Sequence, residues 1–168
     1  MKQGFTLIET IIYTAIIVFV SIIIVEAVLT MTSSFYNIRI TKGINEGARS
    51  SMERMIREVR AASSVDPTSA FGYNPGYLKL NTTDSDGNPA TVEFLVENNS
   101  LKIKNNAGPA EILTSPNISI SSLIFRQIII SGTLAAIKIE LELNAALKNN
   151  TLKTEKFYDT ALLRAGNL

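Results

Sequence analysis

From Thr10 to Val25 (TIIYTAIIVFVSIIIV) the chain has no charged side chain, and no other feature restricts its fold so severely. The apolar character reaches back to Phe5 and forward through Ala27, Val28 and Leu29. As a helix rising about 1.5 Å per residue, Phe5 to Val25 covers about 30 Å, the thickness of a bilayer's hydrocarbon core. The segment is expected to span a membrane and to be retained. A secretory signal has a basic leader, a shorter apolar core and a small-residue cleavage site behind it, whereas the plausible site here, Gly4, lies ahead of the core.

The residues leading into that run are Met-Lys-Gln-Gly-Phe-Thr-Leu-Ile-Glu. Cleavage after Gly4 would free an amine on Phe5, one helical turn from Glu9. A carboxylate within lipid costs a few kcal/mol and marks function once a partner is named. The amine of Phe5 is that partner: a stagger of about one turn between packed helices brings the terminus of one subunit to Glu9 of its neighbour, neutralising both charges. Thr6-Leu7-Ile8-Glu9 also fits a Ser/Thr-x-x-Glu capping box, in which the two side chains satisfy free backbone N–H groups. The two roles can coexist. Glu26 lies about 30 Å along the helix from Phe5, and is expected at the opposite interface with its carboxylate in reach of water.

Gly4-Phe5-Thr6-Leu7-Ile8-Glu9 resembles the processing site of type IV pilins and pseudopilins. The resemblance implies that a prepilin peptidase cuts between Gly4 and Phe5, that Phe5 becomes the N-methylated terminus, and that Glu9 is the acid retained for assembly. It implies as partners other pilin or pseudopilin subunits, met through helix packing, and an inner-membrane assembly platform. It is strongest over residues 1–30. The chain departs from the family in its short leader with one basic residue, Lys2, and in having no proline before Pro67.

Beyond the span the helix is expected to continue to about Ser64. Ile44, Ala48, Met52, Met55, Val59 and Ala62 recur at intervals of three and four and lay one apolar stripe along it. Arg49, Glu53 and Arg57, and likewise Arg54 and Glu58, offer opposite charges at spacing four. Asp66-Pro67 stops it. The remainder reads as sheet: Ile137, Ile139, Leu141 and Leu143 alternate with Lys138, Glu140 and Glu142, a period of two with one buried face. Asn98-Asn99 between Val92-Glu93-Phe94 and Leu101-Lys102-Ile103-Lys104 suits a tight hairpin. One or two strands are expected over Ile118–Ile130, a turn at Ser131-Gly132-Thr133, and a last strand over Glu155–Leu163. The expected class is α+β: a leader over 1–4, a transmembrane helix over 5–32, an amphipathic helical stem over 33–65, and a head over 66–168 forming one antiparallel sheet packed on the stripe. A long helix packed on such a head is also what the resemblance implies.

With neither cysteine nor histidine in 168 residues, thiol nucleophiles, disulfides, imidazole bases and the usual zinc sites are excluded. No local motif pairs the remaining reactive side chains, so neither catalysis nor a cofactor is expected. Arg39, Lys42, Arg49, Arg54, Arg57 and Arg60 outweigh Glu46, Glu53 and Glu58 on the stem, a pattern expected of a solvated helix face. The head has no basic cluster interleaved with aromatics, so nucleic-acid binding by this subunit alone is not expected. Basic residues near the span set Lys2 and the initial amine against Arg39 and Lys42, which alone would place the C-terminus in the cytoplasm. The resemblance implies the reverse, with the N-terminus facing a cytoplasmic-side peptidase and the head carried across.

Asp84-Ser85-Asp86-Gly87-Asn88 opens like a calcium loop, with Asp84, Asp86 and Asn88 as candidate ligands, and the resemblance adds that some secretion pseudopilins bind calcium in the head. The twelfth position, however, is Leu95 where a glutamate is needed, and Asp-Gly is equally a turn signal. A turn is the expected reading. The arginine-spaced run Arg49–Ser63 and the ending Phe157–Arg164 resemble W-type minor pilins and J-type minor pseudopilins, although Ala165-Gly166 stands where an asparagine usually follows. The expected function is that of a minor subunit of a type IV filament system, held in the inner membrane before it joins a pilus or pseudopilus. The alternative is a stable single-span protein displaying a β-rich binding module, with Glu9 acting only as a cap.

Overall fold

The computed structural model describes residues 6–130, 133–148 and 151–163. It contains one helix, α1 (Leu7–Ala61), followed by β1 (Ser64–Val65), β2 (Leu78–Thr83), β3 (Pro89–Glu97), β4 (Ser100–Asn105), β5 (Ala110–Ile112), β6 (Ser119–Ile130), β7 (Thr133–Ala146) and β8 (Leu152–Leu162). Contacts divide the chain into two compact units, one ending at Arg39 and the other beginning at Ile40. The class is α+β, with a long, initially apolar helix whose later turns pack on antiparallel sheets.

In the first unit α1 stands without tertiary cover. None of its described residues is buried, and Leu7 is 80% exposed. Hydroxyls within this stretch turn back onto the helix itself: Thr10 Oγ1 donates to Thr6 O (3.0 Å), Thr14 Oγ1 to Thr10 O (2.7 Å) and Ser21 Oγ to Ile17 O (2.7 Å). Polar side chains satisfied in this way are compatible with lipid. The helix is long and apolar enough to cross a membrane once.

In the second unit the predicted stripe enters the core: Ile44, Ala48, Met52, Met55 and Val59 of α1, and Ala62 just past its end, are all buried. They meet Leu78, Leu80, Phe94, Leu101 and Ile103 of the first sheet and Leu123, Phe125, Ile137, Ile139 and Leu141 of the second in one cluster. The helix ends three residues before the expected Ser64. Ser63 donates through both N–H (2.8 Å) and Oγ (3.0 Å) to Asn81 O, while Ser64 and Val65 pair with Asn81 and Leu80 as β1. Serine side chains compete with helical bonding, and β2 supplies an edge to extend. The first strand, β1, therefore starts at Ser64, two residues ahead of Asp66.

The strands form two sheets where one was expected: β1-β2-β3-β4-β5 and β6-β7-β8, with every pairing antiparallel. Alternation identifies each strand but says nothing of its neighbour. Ile118–Ile130 holds one strand, β6, with register shifts at Ile120/Ser122 and Ile128/Ile129. The predicted Asn98-Asn99 turn has both residues at positive φ (52° and 57°), the backbone of a two-residue hairpin whose twist suits its strands. The Ser131-Gly132 part of the second predicted turn lies outside the described residues.

A loop absent from the sequence reading secures β6. Gly72 N–H donates to Phe125 O (2.8 Å), Gly76 N–H to Leu123 O (2.7 Å), and Asn74 Oδ1 accepts from Leu123 N–H (3.2 Å). A Cβ at Gly76 would lie 2.9 Å from Phe125 Cδ2 and 3.0 Å from Leu123 O. Gly76→Ala therefore pushes the loop off the strand, and should destabilise the head by about 1–3 kcal/mol. Thermal melting followed by circular dichroism measures this, with Gly43→Ala, where no atom lies within 4 Å, as the control.

Candidate functional site

The candidate assembly residue Glu9 sits in the first turn of α1. Its own N–H points at Thr6 Oγ1 (3.4 Å), a long bond that supplies one half of the capping box. Its carboxylate is half-exposed and accepts from Tyr13 Oη through Oε1 (3.4 Å). The sequence reading missed Tyr13, although spacing four places the two side chains on one helix face. Among the described residues the phenol of Tyr13 bonds this carboxylate, and an ionised carboxylate has about four acceptor positions, enough to take an ammonium ion as well. Gly4 and Phe5, the predicted cleavage pair, lie outside the described residues.

The face of α1 turned away from Glu9 carries a furrow. Leu7, Ile11 and Val18 stand around Thr10, Thr14 and Ala15 in a shallow furrow along α1. Small residues flanked by large ones permit close approach of a second helix in lipid. Glu26 is exposed farther along the same helix.

On the later turns of α1 the expected ion pairs form in part. Arg49 Nε reaches Glu53 Oε1 (2.8 Å) and Arg54 Nε reaches Glu58 Oε1 (2.9 Å), with Lys42 Nζ and Glu46 Oε1 at 3.6 Å. Glu53 is engaged by Arg49, and Arg57 lies nearer Glu58 (4.0 Å). The exposed pairs Lys42–Glu46 and Arg49–Glu53 add little stability, whereas Arg54–Glu58 is partly covered. They solubilise the helix face rather than form a site.

The calcium-loop candidates build the β2–β3 turn. Asp84 Oδ1 accepts from Asn88 N–H (2.8 Å) and Asp86 N–H (2.9 Å), while Asn88 Nδ2 lies 3.4 Å from Asp84 Oδ2. These bonds, that from the Asn88 backbone first, hold the Asp84 carboxyl below the ordinary aspartate range. Gly87 takes φ 83° at the tip. These bonds and the Gly87 backbone make Asp84–Asn88 a turn; no three His, Cys, Asp or Glu side chains converge among the described residues.

On the outer face of the second sheet, Glu140 bonds Arg126 Nε (3.0 Å) and Lys138 Nζ (2.8 Å), and Glu142 bonds Lys156 Nζ (3.0 Å). Arg126 first, then Lys138, lowers the Glu140 pKa, and Lys156 first, then Ser121, lowers that of Glu142. Compared with protein-family models, characterised proteins and solved structures, the chain has no match.

Proposed function

We propose that this chain is a prepilin-like minor subunit, cleaved after Gly4 and assembled through α1 into a type IV pilus or a secretion or competence pseudopilus. The observation that carries the reading is a Gly-Phe junction one turn ahead of Glu9, an acid with spare acceptor capacity at the start of an uncovered apolar helix. The methylated amine of Phe5 and Glu9 of an adjacent subunit form the assembly contact. Before assembly the helix anchors the chain in the inner membrane, and the head lies on the side away from the peptidase. Its partners are the prepilin peptidase, neighbouring subunits and the assembly platform, and its work is assembly and not turnover.

The Thr6 cap favours a second reading, a permanently anchored binding module, because it gives Glu9 a local task. Processing separates the two. Gly4 has no side chain to obstruct an extended backbone in a protease cleft, so Gly4→Val should leave the precursor uncut in cells containing the peptidase, seen as retention of residues 1–4. Cleavage of the valine variant at the parental rate would remove Gly4 from the processing site.

A further inference from the structure

The two sheets have four edges; two are short, and a third, β6, is covered over Ile120–Phe125. β1 has two residues and β5 three. Along β6, Phe125 O and Leu123 O are taken by Gly72 and Gly76, and Ile120 N–H donates to Asn99 O (2.8 Å). The fourth edge is β8, eleven residues long. It pairs with β7 on one side, and among the described residues no strand is hydrogen-bonded along the other. Leu152, Tyr158 and Leu162, on one face of this edge, are 66%, 60% and 67% exposed. A long open edge with exposed apolar side chains is a template for another strand.

Charges on an edge usually prevent such pairing, and β8 has Lys153, Glu155, Lys156 and Asp159. Their order prevents all long self-pairings but one. When two copies of a strand pair antiparallel about a two-fold axis, facing residues share a sheet face, so the axis passes through one residue. An axis at Glu155, Lys156 or Asp159 sets that charge against its own copy, and an axis at Phe157 sets Glu155 against Asp159. Like charges directly opposite destabilise a pair. An axis at Tyr158 sets Lys153 against Leu163, Glu155 against Ala161, Lys156 against Thr160 and Phe157 against Asp159. Within Thr151–Leu163 it is the one register overlapping by nine residues or more in which no like charges meet.

We propose that β8 pairs with β8 of a second copy of this chain, antiparallel and centred on Tyr158, joining two three-stranded sheets into one. The charges then select the register, and the exposed Tyr158 rings meet at the axis. The inference stands on the β8 edge alone and is independent of processing at Gly4.

The full chain in detergent provides the test, because it has no cysteine of its own. Facing Cβ atoms in an antiparallel pair are about 4.5–5.5 Å apart, close to disulfide reach. Under mild oxidation Tyr158→Cys should give a crosslinked dimer at least tenfold faster than Lys156→Cys or Thr160→Cys alone. Mixing the Lys156→Cys and Thr160→Cys proteins should restore crosslinking, and adding Tyr158→Lys to both should abolish it by placing two ammonium groups at the axis. Circular dichroism of each variant confirms that the head is folded. A crosslinking maximum at another position, or a rate at Tyr158 no higher than at Lys156, overturns the proposal.

Discussion

Glu9→Gln is expected to be cut and held in the membrane like the parent chain, yet to enter filaments almost as poorly as Glu9→Ala. Glutamine keeps the length of the side chain, and its carbonyl can still accept from Tyr13 Oη, the 3.4 Å contact made by the Glu9 carboxylate. It also keeps the hydrogen bonding of an N-terminal cap. It loses only the charge. If the assembly contact is an ion pair between Glu9 and the amine of Phe5, removing one partner strands the other in lipid. Insertion scales set the cost of a charged group at a helix centre at about 2.5–3.5 kcal/mol, the ceiling for groups at the helix start, so incorporation falls by up to roughly 100-fold. A capping role predicts the opposite order, with glutamine near the parent and alanine defective. Crosslinking to neighbouring subunits, normalised to membrane level by immunoblot, distinguishes the two. Parental incorporation of the glutamine variant would exclude charge pairing while leaving cleavage after Gly4 intact.

Met55→Asp should unfold the head. Met55 is 0% exposed and lies near the middle of the stripe that α1 presents to both sheets. A carboxylate there either remains ionised without a partner or takes up a proton, and it also removes the apolar contacts of the thioether. Buried unpaired charges and lost core volume together cost several kcal/mol, comparable to the roughly 5–15 kcal/mol that stabilises a whole domain. Loss of the cooperative thermal transition and rapid proteolysis of residues beyond Ile40 are the expected signs. Arg57→Ala, on the exposed face two residues away in sequence, should change stability by no more than about 0.5 kcal/mol. Similar melting of the two variants would contradict the packing of the stripe.

These two residues also show what the sequence makes legible. Met55 was identifiable because a helix repeats every 3.6 residues, and any stripe at intervals of three and four must fall on one side. Asn98-Asn99 was identifiable because few residue pairs tolerate two successive positive φ angles. Glu9 stood out through the cost of a charge beside lipid. The division into two sheets was not legible, since strand alternation is local while pairing is set by distant backbone. The same holds for the helix end, where Ser63 and Ser64 leave the helix because Asn81 on β2 offers bonds. Gly76 gave no sign either, because its requirement is the nearness of Leu123 and Phe125, about fifty positions on. Tyr13 is within reach of the four-residue rule, but in an apolar run the spacing alone does not mark it as a partner of Glu9.

The central claim is that the apolar helix is the trimmed terminus of an assembling subunit, and the intact mass of the protein purified from cells containing a prepilin peptidase tests it most directly. The account predicts a chain lacking Met1-Lys2-Gln3-Gly4, with one methyl group on the new N-terminal Phe5. A mature chain that still contains residues 1–4 would contradict it, and would leave a membrane-anchored domain whose Glu9 only caps its helix.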